Sequence, residues 1–280
     1  MLNMMKPWFR LYLLNLLLSL HYYPSLAALT SISINQSVSG DQTIISRGGI
    51  FELGFFKPSN SSKDYIGICN LVLIDESSNQ VWSINMSFPK SDSVVAILLD
   101  SGNLVLRNRH NDDASDPLWQ SSDHPTDTWL PDSKIRLDNK AKKPQYFTSW
   151  KNRDDPGMGL FSFKLDLKGT ISYSILWNKS EQYWTSGAWN GHIFSQVPEM
   201  RLNYIYNLSL ESNENETYFT YSVYNPSIMS RFVMDISGQI KQLSWLENVK
   251  EWNLFSTQPR GRNISTTLKE LSNIKSISAN

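Results

Sequence analysis

The feature that most constrains this chain is a repeat. Asn70-Leu71-Val72-Leu73 recurs as Asn103-Leu104-Val105-Leu106, 33 residues later, and each copy runs through a polar turn to a tryptophan, Trp82 or Trp119. Each copy reads as an antiparallel hairpin with one apolar face and an aromatic at its end. A unit of that size cannot bury its face alone, so copies must stack around a shared core. The rest of the chain has the same character. Residues 50–56, 93–99, 161–165 and 217–224 are rich in β-branched and aromatic side chains, and several alternate with period two. Turn signals separate them, at Ser39-Gly40-Asp41, Arg47-Gly48-Gly49, Ser101-Gly102-Asn103, Lys168-Gly169 and Ser237-Gly238. A helical period is almost absent. We expect an all-β protein, a sandwich, barrel or prism built from short strands.

The N-terminus speaks to compartment. Lys6 and Arg10 precede an apolar run, Leu11 to Leu20, and Pro24 leads into Ser25-Leu26-Ala27-Ala28. That order of positive, apolar and small residues predicts a signal peptide over residues 1–27, cleaved after Ala27. The run is shorter than the ~20 residues that span a bilayer, and no later stretch reaches that length. N-glycosylation sequons begin at Asn35, Asn60, Asn85, Asn178, Asn207, Asn215 and Asn263. Together they predict a secreted, apoplastic glycoprotein. Cys69 is the single cysteine, so no internal disulfide is available, and we expect it buried as a small apolar residue. The fold must then stand on its core, for which ten tryptophans are a resource. The formal net charge is zero, which gives no basic footprint for nucleic acid.

Chemistry is hard to find. His110, His124 and His192 lack metal-ligand spacing, and His124 with Asp127 lacks a nucleophile. Asp154-Asp155-Pro156 reads as a strand-capping turn. No catalytic residue, metal or cofactor is expected. Trp177, Tyr183, Trp184, Trp189 and Phe194 form an aromatic cluster that is either core or, in part, an exposed ridge for a protein partner.

These residues carry a resemblance. The repeated hairpins, the opening Ile44-Ile45-Ser46 to Phe51-Glu52-Leu53-Gly54-Phe55-Phe56, and Leu118-Trp119-Gln120-Ser121 with His124-Pro125-Thr126-Asp127-Thr128 resemble the bulb-type mannose-binding lectins. Thr148-Ser149-Trp150-Lys151, Tyr183-Trp184-Thr185-Ser186-Gly187 and Trp189-Asn190-Gly191 resemble the S-locus glycoprotein domain. Over about residues 29 to 260 the chain looks like the extracellular part of plant G-type lectin S-receptor-like serine/threonine kinases. The resemblance implies a β-prism of three small sheets, then a second lectin-like β unit. We expect a shortened bulb-type lectin domain over 28–130, a linker over 131–144, an S-locus glycoprotein domain over 145–260 and a divergent, disordered tail over 261–280. The chain departs from the family after Gln258-Pro259-Arg260, where EGF-like cysteines are due, and it carries no kinase motif. It also passes directly from Ile68-Cys69 into Asn70, where relatives insert a further block, so about one repeat of roughly 30 to 45 residues is expected to be missing.

Bulb-type lectins hold mannose with a Gln-x-Asp-x-Asn-x-Val-x-Tyr strand. Carried over, that pattern falls on Leu99, Ser101, Asn103, Val105 and Arg107, and on Ile66, Ile68, Asn70, Val72 and Ile74. Asn70, Val72, Asn103 and Val105 are the degenerate remnant of a carbohydrate site. With most hydroxyl partners lost, Asn70 and Asn103 are expected to serve turns. The resemblance implies a secreted module for cell-surface recognition, pollen recognition among its roles. A mannose-type carbohydrate, a protein or peptide ligand, and a receptor-kinase ectodomain are the expected partners. The alternative is a fragment of a transmembrane receptor-like kinase.

Overall fold

The computed structural model describes residues 29–33, 36–39, 42–54, 65–68, 71–74, 80–84, 94–109, 117–153 and 155–261, with backbone alone at 65–68, 71–74 and 80–83. The expected signal peptide, Cys69, His110, Asp154, the sequon asparagines 35, 60, 85 and 263, and residues 262–280 of the tail lie outside them. The fold is all-β, in two compact units: one of residues before Ser101 together with Val105–Leu118, the other of Ser101–Leu104 and residues from Trp119 onward.

The first unit is seeded by three short strands spaced six residues apart, Ser31–Ser33, Ser37–Ser39 and Thr43–Ile45. Each is a polar-apolar or β-branched triplet that buries its central residue: Ile32 and Val38 are 0 % exposed and Ile44 is 1 % exposed. Alternation over three residues suffices, because a strand sends successive side chains to opposite faces. Each seed joins a different sheet. Ser31–Ser33 pairs antiparallel with Val94–Leu98, whose sheet continues to Leu104–Asn108. Ser37–Ser39 pairs with Tyr65–Ile68, followed in the sheet by Leu71–Ile74 and Gln80–Ser83. Thr43–Ile45 pairs with Glu52–Gly54, and among the described residues that sheet has two strands. The turn joining those two is fixed from outside: Gly48 donates its N–H to Asp100 Oδ1 at 2.7 Å. The Ser46 hydroxyl and the Gly48 N–H hold that carboxyl below its usual range.

The second unit repeats the plan in full. Thr128–Trp129, Ile135–Asp138 and Tyr146–Asn152 again seed three sheets, and each sheet here has four strands. Tyr146–Asn152 leads into Asp155–Asp166, Ser172–Trp177 and Glu181–Thr185. Ile135–Asp138 lies between Lys143–Pro144 and Glu216–Val223, with Tyr206–Ser212 at the edge. Thr128–Trp129 pairs with Ser230–Met234, followed by Ile240–Leu246 and Glu251–Gln258. The seeds again bury one large residue each, Trp129, Ile135 and Phe147. Trp129 is the hub. Its ring lies 4.9 Å from Tyr221, 5.4 Å from Phe232, 6.1 Å from Tyr173 and 6.3 Å from Phe147, so it touches all three sheets. Its indole N–H donates to the Ser133 carbonyl at 3.1 Å. The Tyr221 hydroxyl donates to the Trp129 carbonyl at 3.0 Å, which ties two of the sheets by a buried polar contact.

One sequence expectation is corrected here. Residues 131–144 are not a linker: they hold the strands Ile135–Asp138 and Lys143–Pro144, and Ile135 is in the core. Their apolar residues are too sparse, and the strands too short, for any period to show. Of the two readings of the aromatic cluster, core or exposed ridge, the structure takes the core. Phe194 is in the core, and Trp177, Tyr183, Trp184 and Trp189 pack against it.

Candidate recognition cleft

The structure places the hairpin residues as follows. Asn70 lies outside the described residues, and of Val72 only the backbone is described, in Leu71–Ile74. Val105 is buried at 4 % exposure, so its side chain lies in the core and not on a sugar-facing surface. Asn103 is half-buried and its amide is occupied. Its Oδ1 accepts from the Ser121 hydroxyl at 3.0 Å and the Ser122 N–H at 3.1 Å, and its Nδ2 donates to Gln120 Oε1 at 2.9 Å. Three of the four hydrogen-bonding positions of that amide are therefore taken.

That clasp forms one wall of a cleft of about 370 Å³ within the second unit, the size of a small-molecule site. The sequence explains the walls. Ser121–Asp123 is a single 3-10 turn, closed by the His124 N–H donating to Ser121 O at 2.9 Å. Pro125 then forces an extended chain into the seed strand Thr128–Trp129. Past it, Leu130–Lys134 doubles back, with Asp132 in the left-handed region at φ 62° and its N–H donating to the Tyr221 carbonyl at 2.8 Å. Aspartate is among the few non-glycine residues that tolerate that conformation. Gln120 passes the clasp on, donating from Nε2 to Asp123 Oδ2 at 3.1 Å. The His124 imidazole stacks on Trp119, centroids 5.5 Å apart and planes within 10°.

An ion-pair network lies beside the cleft. Lys134 Nζ is 2.5 Å from Glu216 Oε1, Arg136 is 3.4 Å from Glu216 Oε2, and Arg136 is 3.6 Å from Asp123. Burial pushes the Glu216 carboxyl up, but Lys134 and Arg136 outweigh it and the net shift is downward. Of the charged residues lining the cleft, Lys134 is thus paired with Glu216 and Asp123 with Arg136.

Of the sequon asparagines, Asn178, Asn207 and Asn215 are described, and all three are exposed. Asn178 sits at φ 51° in the turn between Ser172–Trp177 and Glu181–Thr185. Asn207 is on the edge strand Tyr206–Ser212, and Asn215 is in the turn that follows it. Among the described residues no group of three or more His, Cys, Asp or Glu is placed to hold a metal ion. Nor is any described helix long and apolar enough to cross a membrane.

Two family models match the chain, and the first runs from one structural unit into the other. A model of the D-mannose binding lectin family matches residues 57–151, and the S-locus glycoprotein domain matches residues 184–263. The chain is therefore a tandem of a lectin domain and an S-locus glycoprotein domain, both non-catalytic types. Its homologues, over most of this chain, are G-type lectin S-receptor-like kinases and S-locus glycoproteins. It is 48 % identical to a G-type lectin S-receptor-like serine/threonine-protein kinase of Arabidopsis thaliana, across 84 % of this chain and 32 % of the relative. It is 36 % identical to an S-locus-specific glycoprotein of Brassica oleracea, across 79 % of this chain and 58 % of the relative. A second such glycoprotein, from Brassica oleracea var. alboglabra, is 35 % identical across 84 % and 61 %. The chain thus spans about a third of the kinase and about three fifths of the glycoproteins.

The cleft was largely invisible to sequence reasoning. His124 was legible as part of the His124-Pro125-Thr126-Asp127-Thr128 motif, but not as a cleft residue. Ser122 and Asp132 lie in polar loops with no local pattern, and only the folding of Leu130–Lys134 back toward Asn103 brings them to one place.

Proposed function

We propose that the chain is an extracellular recognition module of S-locus glycoprotein type. It is secreted to the apoplast, N-glycosylated at its exposed sequons, and works by binding and not by catalysis. The observation that carries this reading is the tandem itself, a lectin domain and an S-locus domain in one chain. Its partners are a saccharide of the mannose type, a protein or peptide ligand, or the ectodomain of a receptor kinase. Expression of the full sequence in a plant secretory host tests the reading. We expect a product in the medium that shifts to higher mobility after glycosidase treatment, unfolds cooperatively, and is captured by the ectodomain of a related receptor kinase. Intracellular retention, or a product without glycans, would count against it.

A second reading has its own support. The 48 % identical relative is a receptor-like kinase more than three times the aligned length, of which 32 % is covered. On that reading these residues act as the ligand-binding part of a membrane-spanning kinase. Transcript sequencing across the 3′ side of the locus separates the two: EGF-like cysteines, a membrane span and a kinase in frame favour the second.

A further inference from the structure

We infer that the cleft beside Asn103 is a binding site for a neutral pyranoside, with Ser122, His124 and Asp132 as its ligand-contacting groups. The inference rests on the recognition reading above and names a site for it away from the degenerate hairpin strands. Twelve of the seventeen residues lining the cleft carry hydroxyl, amide, carboxylate, imidazole or ammonium groups set among apolar surface, a mixture that suits a sugar, which presents hydroxyls and an apolar ring face together.

Most of those groups are already used. The amide of Asn103, the side chain of Gln120 and the Ser121 hydroxyl bond to one another, and the Ser121 hydroxyl also accepts from the Leu104 N–H at 2.9 Å. The Ser133 hydroxyl donates to the Leu130 carbonyl at 2.6 Å, and the Thr128 hydroxyl to Asp127 at 3.0 Å. Lys134 is held by Glu216. Four lining groups remain with no hydrogen-bond partner among the described residues: the Ser101 and Ser122 hydroxyls and, on exposed residues at the cleft wall, the His124 ring nitrogens and the Asp132 carboxylate. A carboxylate accepts from two adjacent hydroxyls, while serine and imidazole each donate or accept as the sugar requires. His124 is presented rigidly by its stack on Trp119. Asp132 is held by the backbone bond to Tyr221. Such preorganisation reduces the entropy lost on binding. With Lys134 paired to Glu216 and Asp123 to Arg136, Asp132 is the unpaired charge on the wall, so a uronate is repelled and a neutral sugar is preferred.

The test is titration of the secreted full chain with methyl α-mannoside, methyl β-glucoside, methyl β-galactoside and galacturonate, followed by ligand-observed NMR. We expect saturable binding of at least one neutral hexoside in about the millimolar range, and none of galacturonate. Asp132→Asn keeps a residue that tolerates the left-handed backbone, and His124→Phe keeps the ring stack on Trp119. Each is expected to weaken binding by about tenfold or more, as loss of one well-placed bond does. Arg107→Ala, on the hairpin pattern, leaves binding unchanged. Neutral hexosides that bind Asp132→Asn and His124→Phe as tightly as the native chain would overturn the proposal, as would loss of binding in Arg107→Ala. A secreted, cooperatively unfolding chain that binds no hexoside overturns the cleft proposal alone, because the recognition reading is judged by secretion, glycosylation and receptor capture.

Discussion

At the scale of single residues, Trp129 and Glu216 divide the work between packing and charge. Trp129 contributes a large, fully buried ring that meets all three sheets of the second unit, so its removal opens a cavity where they converge. Trp129→Ala is expected to cost about 3–5 kcal/mol, read from urea midpoints at constant slope. Glu216 acts through pH. Its folded carboxyl titrates below the unfolded value, so the stabilisation is complete above the unfolded pKa, near 4.3, and disappears as pH falls through the folded one. Its partners Lys134 and Arg136 are 41 % and 38 % exposed, and solvent screening keeps the effect small. Glu216→Gln should lower stability by about 1 kcal/mol at pH 7, with the difference shrinking as pH falls below the unfolded value in paired unfolding curves.

At the scale of elements, what was legible depended on length. The NLVL hairpins were readable because four apolar-patterned residues and a tryptophan recur at a fixed distance. The seeds Ser31–Ser33, Ser37–Ser39 and Thr43–Ile45 also recur, every six residues, but three-residue strands fall below any useful window and their period passed unread. Thr128–Trp129 and Ile135–Asp138 were lost for the same reason, and the segment holding them looked like a connector. Of the cleft, sequence conveyed Asn103 and its turn, because the hairpin pattern points there. Asp132 was out of reach, since only the long-range pairing of its loop with Tyr221 brings it in. One glycine was likewise silent until the ladder was seen. Gly159 sits where Asp155–Asp166 bulges against Trp150, and a Cβ there would lie 2.1 Å from the Trp150 carbonyl oxygen. That neighbour is backbone and cannot swing aside. Gly159→Ala is expected to cost about 1–3 kcal/mol by thermal unfolding, while Gly169→Ala, in open space, pays only for its positive φ.

At the scale of the whole molecule, the two units share one plan with unequal completion. Each takes three seed strands in order and assigns the first to the last sheet, the second to the middle sheet and the third to the first sheet. In the second unit every sheet reaches four strands around a continuous aromatic core. In the first, the sheet of Thr43–Ile45 has two strands among the described residues. Residues 117–261, produced alone in a secretory host, are therefore expected to give a cooperative unfolding transition, and residues 28–118 alone are not. Calorimetry of both fragments decides it, and a sharp transition in the shorter fragment, which lacks the strand Trp119–Gln120, would show that one four-stranded sheet suffices.

The seed plan also sets an order of events during synthesis. Thr128 pairs with Val233, so the second unit cannot close its last sheet until some 105 further residues have emerged. At about 5–20 residues per second, that interval is about 5–20 s. Asn178, Asn207 and Asn215 all fall inside it. A chain entering the secretory pathway would present these three asparagines to the glycosylating enzyme while the barrel of strands around them still stood open, and the sugars would be in place before the last sheet sealed.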